Sequence, residues 1–173
     1  MLPVTLEGVA INLLPFQDHH LTDRYVGWLN DPLVVKFSEQ RHKHHSLVSC
    51  REYVENCRAG NTGLWAIETK DSAHIGNISA NIDRHNRVAD VGILLGERGW
   101  WGKGMGGEAF RLLVNFLLSE GSMRKIISGT MSENTAMLKL MESAGMKREA
   151  ILEGYFLLDE KPVDMVIATI SKL

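Results

Sequence analysis

Ten residues from Gly99 to Glu108, Gly-Trp-Trp-Gly-Lys-Gly-Met-Gly-Gly-Glu, constrain this chain more than any other stretch. Five of the nine positions from Gly99 to Gly107 are glycine. The residues before them, 88–95, alternate as a strand does, and those after, Glu108 to Ser119, carry helical periodicity. Strand, glycine turn and helix together leave backbone N–H groups pointing into open space at the positive end of the helix, an arrangement made for phosphate. Glycine is required because such a turn needs φ > 0 and because a Cβ would hold the ligand off the backbone.

Three kinds of phosphate loop compete. A nucleoside-triphosphate loop needs G-x-x-x-x-G-K-[ST]; here Gly102-Lys103 is followed by Gly104, and Glu97 stands where the first glycine belongs. The dinucleotide fingerprint G-x-G-x-x-G matches at Gly102, Gly104 and Gly107, but its context fails. That motif follows the first strand of a large parallel sheet, with an acid about 20 residues on. In this chain most residues precede it, and the acids beyond the next strand begin only at Glu133. A nicotinamide-dependent redox enzyme is set aside on that ground.

The third kind fits. The segment resembles the Q/R-x-x-G-x-G/A signature of the GNAT N-acetyltransferase family, with Gly104-Met105-Gly106 as its G-x-G. Trp101-Gly102-Lys103-Gly104-Met105-Gly106-Gly107-Glu108-Ala109 is similar to the W-G-K-G-Y-A/G-T-E-A run of that family's ribosomal-protein branch. A second patch, Asn134 to Met146, resembles the same branch's N-x-x-S…E-K-x-G-F helix. The likeness extends over roughly residues 6 to 170. It implies an α+β fold: a twisted, mixed but mostly antiparallel sheet of about seven strands, flanked by helices, whose central strands splay apart to hold acetyl-CoA.

The resemblance also implies a chemistry, transfer of acetyl from acetyl-CoA by direct attack of a primary amine. Backbone groups of Ile93, Leu94 and Leu95 then pair with the pantetheine arm, and an N–H there stabilises the oxyanion, usually a large catalytic contribution. Trp101, Gly102, Lys103, Gly104, Met105, Gly106 and Gly107 surround the pyrophosphate, and Asn134 bonds the pantetheine. Asp90 is the candidate base because the family often carries an acid there; a structural strand Asp is the plain alternative. Trp28, Asn30 and Asp31, with Tyr155, are candidates to touch the acceptor, although Trp28 also suits a core position. Two positions depart from the family. Trp101 replaces the broader family's Gln or Arg, and Met141 stands where many relatives place the Tyr that protonates the leaving thiolate. Tyr155 and Ser132 are possible substitutes, and no general acid is assigned. A catalytically silent acetyl-CoA sensor is the alternative consistent with the missing Tyr.

At 173 residues, with 45% hydrophobic residues, the chain reads as one domain, 1–173, able to bury a real core. No apolar run approaches the ~20 residues of a membrane span, and the N-terminus lacks a secretion signal. The expectation is a cytoplasmic enzyme with no membrane partner, either monomer or homodimer. A net charge of −2 argues against nucleic acid and leaves a small-molecule or peptide amine as the partner. A basic acceptor would want acids at the cleft; Asp83, Asp90 and Glu97 are available. Cys50 and Cys57 lie on one predicted helix about 10.5 Å apart, beyond a disulfide's reach. They read as core thiols.

Along the chain, Val9–Leu14 reads as a strand. Asp18 caps a helix with Leu21, Tyr25, Trp28 and Leu29 on one face, and Asp31-Pro32 opens a short helical piece through Lys36. Arg41-His42-Lys43-His44-His45 reads as a solvated loop rather than a metal site. Ser46 caps the next helix. Strands at 64–68, 74–82 and 88–95 form an antiparallel meander, with His74 and His85 placed at the surface. The helix from Glu108 shows a single solvent stripe of Glu108, Arg111, Asn115 and Ser119. After a strand at 125–130, Ser132 or Asn134 caps a helix burying Ala136, Met137, Leu140, Met141 and Ala144. Two last strands, 147–156 and 164–170, flank a turn at Asp159-Glu160-Lys161-Pro162. The terminal Ser171-Lys172-Leu173 reads as a strand end rather than a peroxisomal address.

Overall fold

Alternating apolar residues in the middle of the chain build the sheet, and the glycine loop interrupts it. The computed structural model describes residues 3–172. In chain order the elements are β1 (Leu6–Glu7), β2 (Ile11–Pro15), α1 (Asp23–Asn30), α2 (Leu47–Ala59), β3 (Thr62–Thr69), β4 (His74–Asp83) and β5 (Val88–Leu94), followed by α3 (Met105–Leu118), β6 (Lys125–Met131), α4 (Thr135–Ser143), β7 (Lys147–Leu158) and β8 (Lys161–Ser171). One sheet takes the order β1-β2-β3-β4-β5-β6-β8-β7. Eight strands result, one more than expected, because the two-residue β1 pairs with β2 through Leu6–Leu13 and Glu7–Asn12.

Every pairing is antiparallel except β5 with β6. A parallel pair needs a crossover, and α3 supplies it. The pairing lasts only from Val88–Lys125 to Asp90–Ile127. Beyond Asp90 the two strands part, so the expected splay falls at the end of β5 that leads into the glycine loop.

Two apolar cores lie on opposite faces. On one, Ala109, Phe110, Leu113, Val114 and Leu117 of α3 pack with Met137 and Met141 of α4 against Ile11, Leu13, Ile78, Val91 and Ile126. On the other, Tyr25, Trp28 and Leu29 of α1 and Cys50, Val54 and Cys57 of α2 cover Leu64 and Ala66. The alternation of β5 divides between them, with Ala89 and Val91 in the α3 core and Leu94 packed against the α1/α2 core. Both cysteines are buried and free.

Several local expectations need correction. Thr22, not Asp18, caps α1, its side chain accepting from the Tyr25 N–H; residues 18–20 form one 3₁₀ turn instead. Asp31 to Phe37 is a run of turns, not a helical piece, because Asp31 Oδ1 accepts the Leu33 N–H and closes an Asx turn. Helix α3 starts three residues early, at Met105, with Gly104 as its cap. Glu108 leaves the solvent stripe: its Oε1 accepts the Ala10 N–H at 2.9 Å and ties α3 to the β1–β2 hairpin. Ala136 is exposed. His74 is buried rather than superficial. Only Asp159 and Glu160 turn the last hairpin, both with positive φ, and Lys161-Pro162 already belongs to β8. The address reading involves Leu173, which lies outside the described residues.

Candidate active site

The glycine loop reaches α3 through two left-handed residues, Gly102 (φ +72°) and Gly104 (φ +83°). A Cβ built at either meets nothing within 4 Å, so both face open space. No side chain caps α3 at Gly104. The first N–H groups of a helix have no intrahelical partner. Here they stand at the positive end of a 14-residue helix, with no side-chain cap bonded to them among the described residues. The helix is anchored by its apolar faces, so its N-terminus is held in place. Lys103 Nζ rests 4.9 Å from the centre of the Trp100 ring, next to the cradle. Trp101 is 42% exposed, and its Nε1–H donates to the Leu95 carbonyl at 2.8 Å, fastening the loop to the end of β5.

The parted strands complete the cradle. Ser128 Oγ–H, buried on β6, donates to the Val91 carbonyl at 2.7 Å, replacing the ladder bond lost where β5 and β6 diverge. In a strand, the N–H and C=O of one residue point to one side and those of its neighbour to the other. Since the Val91 carbonyl faces β6, Ile93 turns its N–H and C=O into the gap. The side chains of Ile93 and Leu95 lie 3.9 Å from a Cβ built on Gly106, and Leu140 lies at 3.7 Å. Ile93, Leu95 and the first turn of α3 therefore converge. Asn134 caps α4: its Oδ1 accepts the Met137 N–H at 3.2 Å and its Nδ2 donates to Thr130 Oγ1 at 3.0 Å. Met141 is buried in the α3 core.

On the α1/α2 face a cavity of about 500 Å³ opens against Gly92, Ile93 and Leu94. Tyr25, Leu29, Cys50, Leu64 and Ile78 give it apolar walls, while Ser38, Gln40, Lys43, His44, His45 and Ser49 supply polar groups. The acceptor candidates stand elsewhere. Trp28 is a core residue, so close to Gly96 that a Cβ there would lie 2.1 Å from its ring. Asn30 instead places the cavity wall: its Nδ2 donates to the His45 carbonyl and its Oδ1 accepts the His45 N–H, both at 2.9 Å. Asp31 accepts the Leu33 N–H and meets Arg98 at 3.4 Å, which hold its carboxyl below the usual range. Tyr155 is exposed on β7 and packs edge-on against Phe156. None of these four lines the cavity.

Asp90 occupies the last position of β5 paired with β6 and lines a separate groove with Asn81, Asp83 and Arg84. It keeps an exposed edge, yet surrounding protein displaces enough water to push its carboxyl above the usual range. Neither it, Asp83 nor Glu97 lines the cavity. Ser132 bonds its neighbour Glu133 at 3.1 Å. The sequence reading missed the 38–45 wall. Its residues carry no periodicity, and the one signal that marks it is the histidine run.

Behind the wall lies a buried imidazole pair. His74 Nε2 lies 3.0 Å from both the Gly76 carbonyl and Asn77 Oδ1, so its proton sits there and Nε2–H donates. Burial drives its pKa down to about 4. His20 Nδ1 accepts the Gln17 N–H and its Nε2 lies 2.9 Å from Glu68; burial lowers this group too. Asn77 also lines the cavity, so His74 fixes which way that amide points.

An uncapped glycine entry to a buried helix, set beside parted parallel strands in an otherwise antiparallel sheet, defines an acyl-CoA-binding acetyltransferase fold. The family model described as "Acetyltransferase (GNAT) domain" matches residues 11–147, and the chain belongs to that family. A curated relative, the uncharacterized N-acetyltransferase p20 of Bacillus licheniformis, is 29% identical over 115 residues, a match spanning 65% of this chain and 64% of that protein. Among solved structures, the ribosomal-protein α-N-acetyltransferase RimL in complex with coenzyme A superposes with a TM-score of 0.85 at 15% identity, covering 96% of this chain and 97% of that one. The spermidine N-acetyltransferase of Vibrio cholerae, with coenzyme A and spermine, gives 0.83 at 17% identity over 94% and 95%. Both structural likenesses are of fold. No helix among the described residues is long and apolar enough to cross a membrane.

Proposed function

We propose that residues 1–173 work as a single acetyl-CoA-dependent N-acetyltransferase domain acting on the primary amine of a small molecule or peptide. The observation that carries this reading is the pairing of two features at one place. The N-terminus of α3 is left open behind Gly102 and Gly104, and the gap between β5 and β6 runs up to it. An elongated ligand with a diphosphate at one end and a thioester arm fits both. When bound, it supplies an activated acetyl group.

The N–H groups of residues 102–107 hold the diphosphate, with Lys103 adding charge. The backbone of Ile93 receives the arm, and the remaining Nδ2–H of Asn134 is a further donor. The Ile93 N–H, fixed by the strand and needing no rearrangement, stabilises charge developing on the acetyl oxygen. An α-amine with pKa ≈ 7.7–8.0 is partly neutral at pH 7, so a strong base is not needed. A thiol of pKa ≈ 8.5 is a competent leaving group without a dedicated acid, which accommodates Met141.

The test is acetyl-CoA consumption against a panel of amines, with coenzyme A binding measured in parallel by thermal shift. Turnover with at least one amine is expected. Binding without transfer to any amine would favour the silent sensor. Failure to bind coenzyme A at millimolar excess would remove both readings.

A further inference from the structure

We propose that the cavity on the α1/α2 face takes an acceptor that carries an anionic group, a carboxylate or a phosphate, in addition to its amine. The inference rests on the transfer reading above and adds the class of substrate.

The argument begins with charge. None of the described residues lining the cavity is Asp or Glu, and Lys43 is its one permanently charged side chain. Arg41, two residues earlier, is committed: its guanidinium bonds Glu39 Oε1 at 2.8 Å, the Ser38 carbonyl and the Leu157 carbonyl. Lys43 makes no ion pair among the described residues. A second ammonium group, as in a polyamine, would lose hydration on entering and find no counter-charge. An anion would meet the Lys43 ammonium, the imidazoles of His44 and His45, and the hydroxyl of Ser38.

A second observation is independent of charge. His45 is only 9% exposed, lines the cavity, and its Nε2 has no hydrogen-bond partner among the described residues. An unsatisfied buried polar atom is destabilising. Asn30 grips the His45 backbone on both sides, so the ring turns from a fixed main chain. Nε2 is closed off from solvent, and a turn of the ring toward the cavity would bring it to a polar group of the acceptor. His45 also immediately precedes Ser46, the cap of the 13-residue α2, so the wall sits at the positive end of a helix.

The experiment compares matched amines with the full-length protein: ethanolamine against ethanolamine phosphate, glycinamide against glycine, an amino sugar against its phosphate, and spermidine. The anionic member of at least one pair is expected to show kcat/KM about tenfold or more above its uncharged twin, the effect of one charge-assisted bond. Which pair responds separates phosphate from carboxylate. Lys43→Ala, at an exposed position, should erase that preference by raising KM for the anionic twin while leaving the neutral twin within about twofold. Lys43→Ala should bind coenzyme A as the parent does. Preference for spermidine, or an equal loss on both twins in Lys43→Ala, overturns the inference while leaving acetyl transfer intact. Coenzyme A binding with no transfer to any amine overturns the transfer reading and the inference with it.

Discussion

Replacing Gly104 by Ala tests the cradle directly. Gly104 sits at φ +83°, ψ −9°, and a Cβ there meets nothing of the protein within 4 Å. The fold therefore suffers only the backbone penalty. An L-residue in the left-handed region costs about 1–2 kcal/mol, partly offset by about 0.4–1 from stiffening the unfolded chain. A net loss of about 1 kcal/mol lowers Tm by about 2–4 °C for a domain of this size. Ligand binding should suffer more, because the new methyl stands where the diphosphate must approach. Losing one N–H bond to a charged group costs about 1.5–3 kcal/mol, a weakening of about 10- to 150-fold in coenzyme A affinity. Gly145 provides the control. It has φ +77°, ends α4 at the opposite end from Asn134, and its Cβ would make only an ordinary 3.5 Å contact with Ile170. Gly145→Ala should lose similar stability and keep its affinity. Titration calorimetry with coenzyme A, alongside thermal melts, reads both quantities. If Gly104→Ala binds within about twofold of the parent, or Gly145→Ala weakens binding as much, the cradle argument is wrong.

Three further outcomes follow from the geometry. His74 is held neutral with a pKa near 4, while in the unfolded chain it takes a proton below about 6.5. Its contribution is therefore intact above about pH 6.5 and falls by about 3 kcal/mol as pH drops to 4; His74→Gln should remove that part of the slope in urea titrations at several pH values. Ser128→Ala leaves the Val91 carbonyl without its buried partner and should cost about 1–3 kcal/mol in urea unfolding; an unchanged midpoint would mean that water or a strand shift replaces the hydroxyl. Asp90 lies outside the cavity on the α1/α2 face, and its charge is penalised by burial. Asp90→Asn should leave kcat within about twofold and raise stability at pH 7. Loss of the acidic limb of the pH–rate profile in that variant would return Asp90 to the mechanism.

The glycine entry to α3 was legible in the residues because its requirements are local. Positive φ at 102 and 104 demands glycine, and the strand before and helix after announce themselves by period. Short-range chemistry is legible at the Ser46 cap, the Asn134 cap and the spacing that keeps Cys50 and Cys57 apart, but not at every turn: Thr22 takes the capping role expected of Asp18, and the Asp31 side chain closes a turn where a helical piece is expected. The other errors came where a side chain's role depends on a distant partner. Glu108 has the spacing of a solvent stripe, yet Ala10 claims it. His74 has the look of a turn residue, yet Phe16, Tyr25 and Trp28 surround it. The family resemblance places Trp28, Asn30 and Asp31 on the acceptor side of the cleft; in three dimensions one fills the core, one grips the wall and one closes a turn.

The amino-acid sequence alone gave the family, through the resemblance of two motifs, and it determined the glycine entry to α3 and the alternating faces of β5, since these two follow from backbone conformation within a few residues. Only the tertiary structure decided where β5 and β6 part and what lines the cavity on the α1/α2 face. A strand's length of pairing depends on its neighbour, and a cavity is made of residues brought together from α1, the 38–45 segment, α2, β3, β4 and β5. Its charge belongs to that assembly and to no single stretch of chain.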